Sequence, residues 1–135
     1  MITAVDSNVL FDILIPSPLF GPVSKRFLEN QYGKGSLIIS EIVYAELSSL
    51  FQGRTLLDEI LREMNIRLVS SPAEVLYSVG QIWKHYRKKR GPKTRILADF
   101  FIGAHAAHEA DCLLTRDRGF YRDYFQGLKI VEPSL

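Results

Sequence analysis

Asp6, Glu46, Asp99 and Asp117 are the residues of this 135-residue chain whose types and positions could do chemistry together. Asp6 directly follows a short β-branched run, and Asp117 lies three residues past the apolar stretch Cys112-Leu113-Leu114, within "LLTRDRGFY". Read alone, each is equally a capping or solvated acid. The other two are harder to place in water. On a helical wheel of about 100° per residue, Glu46 falls between Ile42 and Leu50 on the apolar face, while Glu41 projects to the opposite, polar side. Asp99 has Ile102, Gly103 and Ala106 at the positions that share its face. A carboxylate turned toward a core costs roughly several kcal/mol unless something positive pairs with it. Few cations lie in these apolar segments. A divalent ion would supply the missing charge, and an all-oxygen donor set favours Mg²⁺ or Mn²⁺ over zinc. Asp12 and Asp123 are further acids, either of which is open as a substitute for Asp117.

The elements needed to bring these acids together can be read from periodicity and punctuation. Strands are expected at Ile2–Val5, Leu37–Ile39, Ile66–Val69, Asp111–Leu114 and Leu128–Val131. Between them the pattern predicts helices: one capped by Ser7 or Asn8 and running to Ile15, one from Pro22 to Tyr32, and one from Ser40 to Phe51. A fourth helix should run to Met64 from a capping box of Thr55 and Asp58, and a fifth from Ser71-Pro72-Ala73-Glu74 to Gly91-Pro92. Ile96–Ala110 and Phe120–Phe125 complete the set. Strands alternating with helices imply one α/β domain over residues 1–135, with a mainly parallel sheet flanked by helices on both faces. Ligands of such sheets bind at the carboxyl ends of the strands. That is where Asp6 and Asp117 fall.

Charge is unevenly spread. Residues 84–95, "KHYRKKRGPKTR", hold seven of the seventeen basic residues and no acid, leaving ten basic against fifteen acidic elsewhere, a net of −5. A basic strip on an acidic body suits a polyanion approaching a carboxylate cluster, and it equally suits a solvated helix end. On the first reading Arg87, Lys88, Lys89, Arg90, Lys93 and Arg95 would meet phosphates, as would Arg116. Trp83 and Tyr86 lie beside the strip, where they would stack on unpaired bases or pack the helix.

Other chemistries are thinly supported. The single Cys112 lies in an apolar run, so no internal disulfide is available and a reduced, cytoplasmic setting is expected. No Ser-His-Asp or Cys-His arrangement competes, and His105 and His108 fall on the polar stripe of their helix. No stretch approaches the ~20 apolar residues of a membrane span. Asp6 and Asp12 interrupt the apolar N-terminus, which argues against a signal peptide.

"AVDSNVLFDIL", Glu46 within "VYAEL", and "RILADFFIGAHAAHEADCLLTRDRGF" together resemble the ordered motif series of the PIN domain, closest to its VapC-type toxin ribonuclease branch. The resemblance covers nearly the whole chain. It implies a metal-dependent endoribonuclease that leaves a 5′-phosphate and a 3′-hydroxyl, with Asp6, Glu46, Asp99 and Asp117 as the acidic quartet around Mg²⁺ or Mn²⁺. Asn8 matches the polar residue after the first acid, and Thr115 the hydroxyl that props the site. The resemblance also implies an RNA substrate, a small antitoxin that blocks the crevice, and a homodimer. The segment Phe51–Met64, with Leu56, Leu57, Ile60 and Leu61, is a partner surface or a core element. The rivals are a non-catalytic RNA-binding or scaffold member of the fold, and an RNA-processing nuclease outside any toxin–antitoxin pair. A haloacid-dehalogenase phosphatase would want an acid or Thr where Asn8 stands. A receiver domain would want a Lys just beyond the last strand, whereas Lys129 lies inside it.

Overall fold

The computed structural model describes residues 1–15, 17–89 and 97–135. Its elements run β1 (Ile2–Val5), α1 (Ser7–Leu14), α2 (Gly21–Lys34), β2 (Ser36–Ile39), α3 (Glu41–Ser48), α4 (Arg54–Glu63) and β3 (Ile66–Leu68). There follow α5 (Ala73–Lys88), α6 (Leu97–Glu109), β4 (Cys112–Leu114), α7 (Arg118–Tyr124) and β5 (Lys129–Val131). The five strands form one all-parallel sheet in the order β3-β2-β1-β4-β5. The chain builds outward from β1 to β3, then returns to the other side of β1 as β4. The right-handed rule for parallel crossovers then puts the connecting helices on opposite faces of the two halves. It also makes the gap between β1 and β4 the point where strand order reverses, which is where open parallel sheets leave a crevice.

The central strands read as buried on both faces, as a covered parallel sheet requires. Ala4, Val5, Leu37, Ile38, Ile39, Leu113 and Leu114 are all in the core. Helix α2 packs on β2, and α6 packs on β1 and β4. One close approach fixes α6: a Cβ on Gly103 would lie 2.3 Å from the Phe125 ring, so only glycine lets that ring lie against the helix. Phe100, Phe120, Tyr86 and Tyr124 form a further aromatic cluster that ties α5, α6 and α7 together. Tyr86 is therefore a core residue and is not free to stack on a base.

Several helix starts differ from expectation, each for a local reason. The cap of α1 is Asp6, yet its carboxylate makes no capping bond because it points elsewhere. Helix α4 begins after Gly53, and Asp58 spends its oxygens on the Tyr44 hydroxyl at 2.7 Å and Arg54 at 3.1 Å, so no capping box forms with Thr55. Helix α5 begins after Pro72; Ser71 N–H donates to Glu41 Oε1 at 2.9 Å, which pins the loop before α5 to the start of α3. The Ser40 cap on α3 forms as read, its hydroxyl accepting from Val43 N–H at 3.2 Å. Asn65 ends α4 in the left-handed conformation, φ 60°, a role asparagine tolerates.

His105 does not lie on a polar stripe. It is buried where α6 meets the end of β3, and its Nε2–H donates to the Val69 carbonyl at 2.8 Å. Burial holds its pKa below the ordinary histidine value. His108 is exposed beside Glu109 and Glu74. Cys112 is buried and free. Among the described residues no helix is long and apolar enough to cross a membrane.

Candidate active site

Four segments deliver the expected acids to the β1/β4 switch point. Asp6 leaves β1 directly into α1; Glu46 rides on α3; Asp99 occupies the first turn of α6; and Asp117 precedes α7. Asp6 is 5% exposed, and burial pushes its pKa up against the pull of its hydrogen bonds, with Asp99 adding to the rise. Burial also raises Glu46, helped by the charges of Asp6 and Asp99. These three acids therefore share one electrostatic neighbourhood. Asp117 joins it through Tyr121, whose phenol is driven far above its usual range by burial and by the charges of Asp6, Asp99 and Asp117.

The Asp6 carboxylate is held firmly. Its Oδ2 accepts from Thr115 Oγ1 at 2.8 Å, from the Tyr121 hydroxyl at 3.0 Å and from Asn8 Nδ2 at 3.4 Å. Its Oδ1 receives the Ser7 hydroxyl, at 3.4 Å. Asn8 and Thr115 both donate to the Asp6 carboxylate. Ser7 and Tyr121, both donors to Asp6, were missed. For Tyr121 a signal existed: a tyrosine in an aromatic run needs a partner for its hydroxyl once buried.

Thr115 and its neighbours brace the loop that carries Asp117. Thr115 N–H donates to the Val131 carbonyl, Asp117 N–H to Thr115 Oγ1 at 3.0 Å, and Arg116 N–H to Asn8 Oδ1 at 3.2 Å. The Arg116 side chain corrects the sequence reading. Rather than facing a phosphate, its guanidinium grips buried Asp12 with two bonds, 2.7 and 2.9 Å, and lies 4.2 Å over the Phe20 ring. Ser24 Oγ donates to the same Asp12 carboxylate at 2.7 Å. Asp12 is thus committed to this clamp, and Asp123 is exposed beside Arg122, so neither reaches the cluster.

That clamp carries a stability prediction. Arg116→Gln leaves the buried Asp12 charge to the Ser24 hydroxyl, a loss of about 3–5 kcal/mol where both partners are buried. Arg116 is 31% exposed, so the lower end applies. Thermal melts should show Arg116→Gln well below wild type, with much of the loss recovered in Asp12→Asn/Arg116→Gln. An unchanged melting temperature together with weakened RNA binding would return Arg116 to the substrate.

The donor set fits a hard divalent cation. Glu46 Oε1 is buried with no hydrogen-bond partner, an orphaned anionic oxygen beside two other acids. As they stand, no group of three His, Cys, Asp or Glu among the described residues is arranged to enclose an ion by itself. The two observations are compatible, because Mg²⁺ keeps several waters and is commonly held by one or two carboxylates.

The basic strip lies partly in view. Lys84, His85, Arg87, Lys88 and Lys89 are exposed along the last turns of α5, and Arg87 stacks 4.8 Å over the Trp83 ring. Arg90, Lys93 and Arg95 lie outside the described residues. The segment expected as a partner surface divides: Leu57 and Leu61 are core, while Leu56 is exposed and Ile60 half-buried. Ile60 lines a groove of about 420 Å³ with Ile13, Leu14, Leu28 and Met64.

Comparison with known proteins places this fold. The sequence model of the PIN domain matches residues 3–125. No curated protein matches the sequence significantly. Among solved structures, VapBC2 from Rickettsia felis bound to a DNA fragment from their promoter is 21% identical with a TM-score of 0.73, covering 99% of this chain and 100% of that one. VapBC-1 from nontypeable Haemophilus influenzae is 17% identical with a TM-score of 0.70, covering 98% of each chain. FitAcB from Neisseria gonorrhoeae is 24% identical with a TM-score of 0.64, again covering 98% of each.

Proposed function

We propose, from the premise that this chain belongs to the PIN domain family, that it is a metal-dependent endoribonuclease and the toxin of a type II toxin–antitoxin pair. The observation that carries the reading is the orphaned Glu46 oxygen standing with buried Asp6 and half-buried Asp99 at the switch point of the sheet. Acids whose ionised forms are penalised by their surroundings mark a functional site more often than a structural one. Asp6, Glu46 and Asp99, with Asp117 beside them, would hold Mg²⁺ or Mn²⁺. Bound there, the ion supplies Lewis-acid chemistry that makes water a nucleophile near neutral pH and offsets charge developing on the leaving oxygen.

The chain's own residues set the geometry of that chemistry. Thr115 and Tyr121 fix the plane of the Asp6 carboxylate, and Asn8 spans from Asp6 to the loop bearing Asp117. The walls of the crevice keep the acids from being fully solvated, which strengthens their pull on a cation and on a phosphate brought to it. RNA cleavage by the purified chain should need Mg²⁺ or Mn²⁺, stop on addition of EDTA and yield 5′-phosphate ends. Cleavage that persists in EDTA, with a contaminating nuclease excluded, would overturn the reading.

The partner reading is drawn from the neighbours, which include VapBC assemblies and a toxin–antitoxin complex from Klebsiella pneumoniae. By that likeness a small antitoxin would occlude the crevice, with an apolar segment seated in the groove lined by Ile13, Leu28, Ile60 and Met64. A homodimer and a cytoplasmic setting belong to the same proposal. For the substrate, the exposed basic end of α5 would track the RNA backbone. Replacing Lys88, Lys89 and Arg90 with Gln should weaken RNA binding at low salt and flatten its salt dependence. Each phosphate of a single strand that is no longer neutralised lowers the log–log slope by about 0.7. A slope identical to wild type would mark the strip as a solvated helix end.

A further inference from the structure

We propose that Tyr121 is a positioning residue of the cation site: by donating to Asp6 Oδ2 alongside Thr115, it leaves Oδ1 as the oxygen presented to the ion. The inference rests on the reading of the acids as a cation site and extends it to one named atom. An ionised carboxylate oxygen offers about two lone-pair directions. On Oδ2 these are filled by Thr115 Oγ1 at 2.8 Å and the Tyr121 hydroxyl at 3.0 Å, with Asn8 Nδ2 a third donor at 3.4 Å. Among the described residues, the side-chain donor to Oδ1 is the Ser7 hydroxyl, at a long 3.4 Å.

The direction of each bond is fixed by its surroundings. Thr115 Oγ1 accepts from Asp117 N–H at 3.0 Å and stands 3.3 Å from the Asn8 amide nitrogen, both donors, so its own proton goes to Asp6. Tyr121 is 1% exposed, so no bulk water competes for its hydroxyl proton. The phenol reaches Asp6 from α7, whereas Ser7 and Asn8 donate from the first turn of α1 and Thr115 from just beyond β4. It therefore locks the carboxylate from a second, independent element, and its ring is held in turn by Phe120 and Phe125. Without it the Oδ2 side is left to Thr115 and the long Asn8 hydrogen bond, and the carboxylate plane is held less tightly.

The test is a calorimetric Mn²⁺ titration of wild type and Tyr121→Phe, which removes one oxygen and keeps the ring, with melts in EDTA and cleavage rates across Mn²⁺ concentrations. Tyr121→Phe should bind Mn²⁺ about tenfold more weakly, as expected when a partner that orients a ligand is removed. Its kcat at saturating Mn²⁺ should return close to wild type, so the defect lies in metal requirement. Equal Mn²⁺ affinity in the two proteins, even with a lowered melting temperature in EDTA, would reduce Tyr121 to a packing residue and overturn the proposal. If wild type itself binds no Mn²⁺, the reading of the acids falls first and the proposal with it. A measurement on wild type alone guards against misfolding of the variant: with ¹³Cζ-labelled tyrosine, added Mg²⁺ should shift the Tyr121 resonance while exposed Tyr77 stays still. A Tyr121 signal unmoved by Mg²⁺ that demonstrably binds would also overturn it.

Discussion

Asp6→Asn should abolish RNA cleavage, by more than about a hundredfold, while the chain without metal should melt at the same temperature as wild type or higher. The size follows from comparison with residues that merely orient a ligand, whose loss already costs about 10–100-fold. The amide is worse than a neutral copy of the acid. Thr115 and Tyr121 both donate toward Oδ2, so the Asn oxygen must occupy that side. Its NH₂ then takes the Oδ1 position and turns two protons toward any approaching cation. The stability sign is set by burial. Asp6 has a folded pKa raised above 3.8, so its ionised form is penalised by the fold at every pH above that value, and the penalty grows as pH rises toward the folded pKa. The amide escapes it. Melting curves near pH 7 in EDTA, beside cleavage assays in Mn²⁺, check both halves. A variant that is inactive because it has unfolded would show only that Asp6 supports the fold.

Glu46→Gln and Glu41→Gln should separate function from stability on a single helix. Glu46 Oε1 is buried and unpartnered, and Glu46 titrates above 4.5 because of burial and then the charges of Asp6 and Asp99. Glu46→Gln should therefore lose most cleavage and much of the stabilisation that Mn²⁺ confers, yet melt no lower than wild type in EDTA. Its advantage in EDTA should be largest near pH 7 and fade as pH falls toward 4.5, where the unfolded chain's glutamates also take up protons. Glu41 is the first residue of α3, and its Oε1 accepts from Ser71 N–H at 2.9 Å. A Gln there keeps an acceptor and loses only the favourable charge at the helix start, about 0.3–1 kcal/mol, with activity intact. Inactivity in Glu41→Gln with full activity in Glu46→Gln would mean that the cluster has been drawn on the wrong face of α3.

These contrasts also mark what could be read from the sequence. The parallel sheet was legible because short apolar runs alternate with amphipathic ones, and β1 to β5 fall within a residue of their expected bounds. For α3 a wheel places Glu46 between Ile42 and Leu50, with Val43 nearby, without any tertiary information, and in the fold its Oε1 is buried. Starts of helices were not legible, because a Ser, Thr or Asp can cap or can bond across the fold, and only the fold decides. Asp6 turns to Thr115, Asp58 to Tyr44, and Ser71 cedes its place to Pro72. Arg116 shows the same limit for charge: a guanidinium beside "TRD" looks solvent-facing until Asp12, 104 positions earlier, meets it. His105 shows it for polarity, since an imidazole on a stripe with His108 and Glu109 is buried once β3 ends against it. In each case the deciding partner is remote in sequence.

The central claim is that the acids at the β1/β4 switch point form a divalent-cation site, and its most direct test is a calorimetric titration of Mn²⁺ into wild type and Asp6→Asn. The arrangement of Asp6, Glu46 and Asp99 predicts saturable binding to wild type that Mg²⁺ displaces and that disappears in the variant. No saturable binding by wild type, or equal binding by a folded Asp6→Asn, would contradict it.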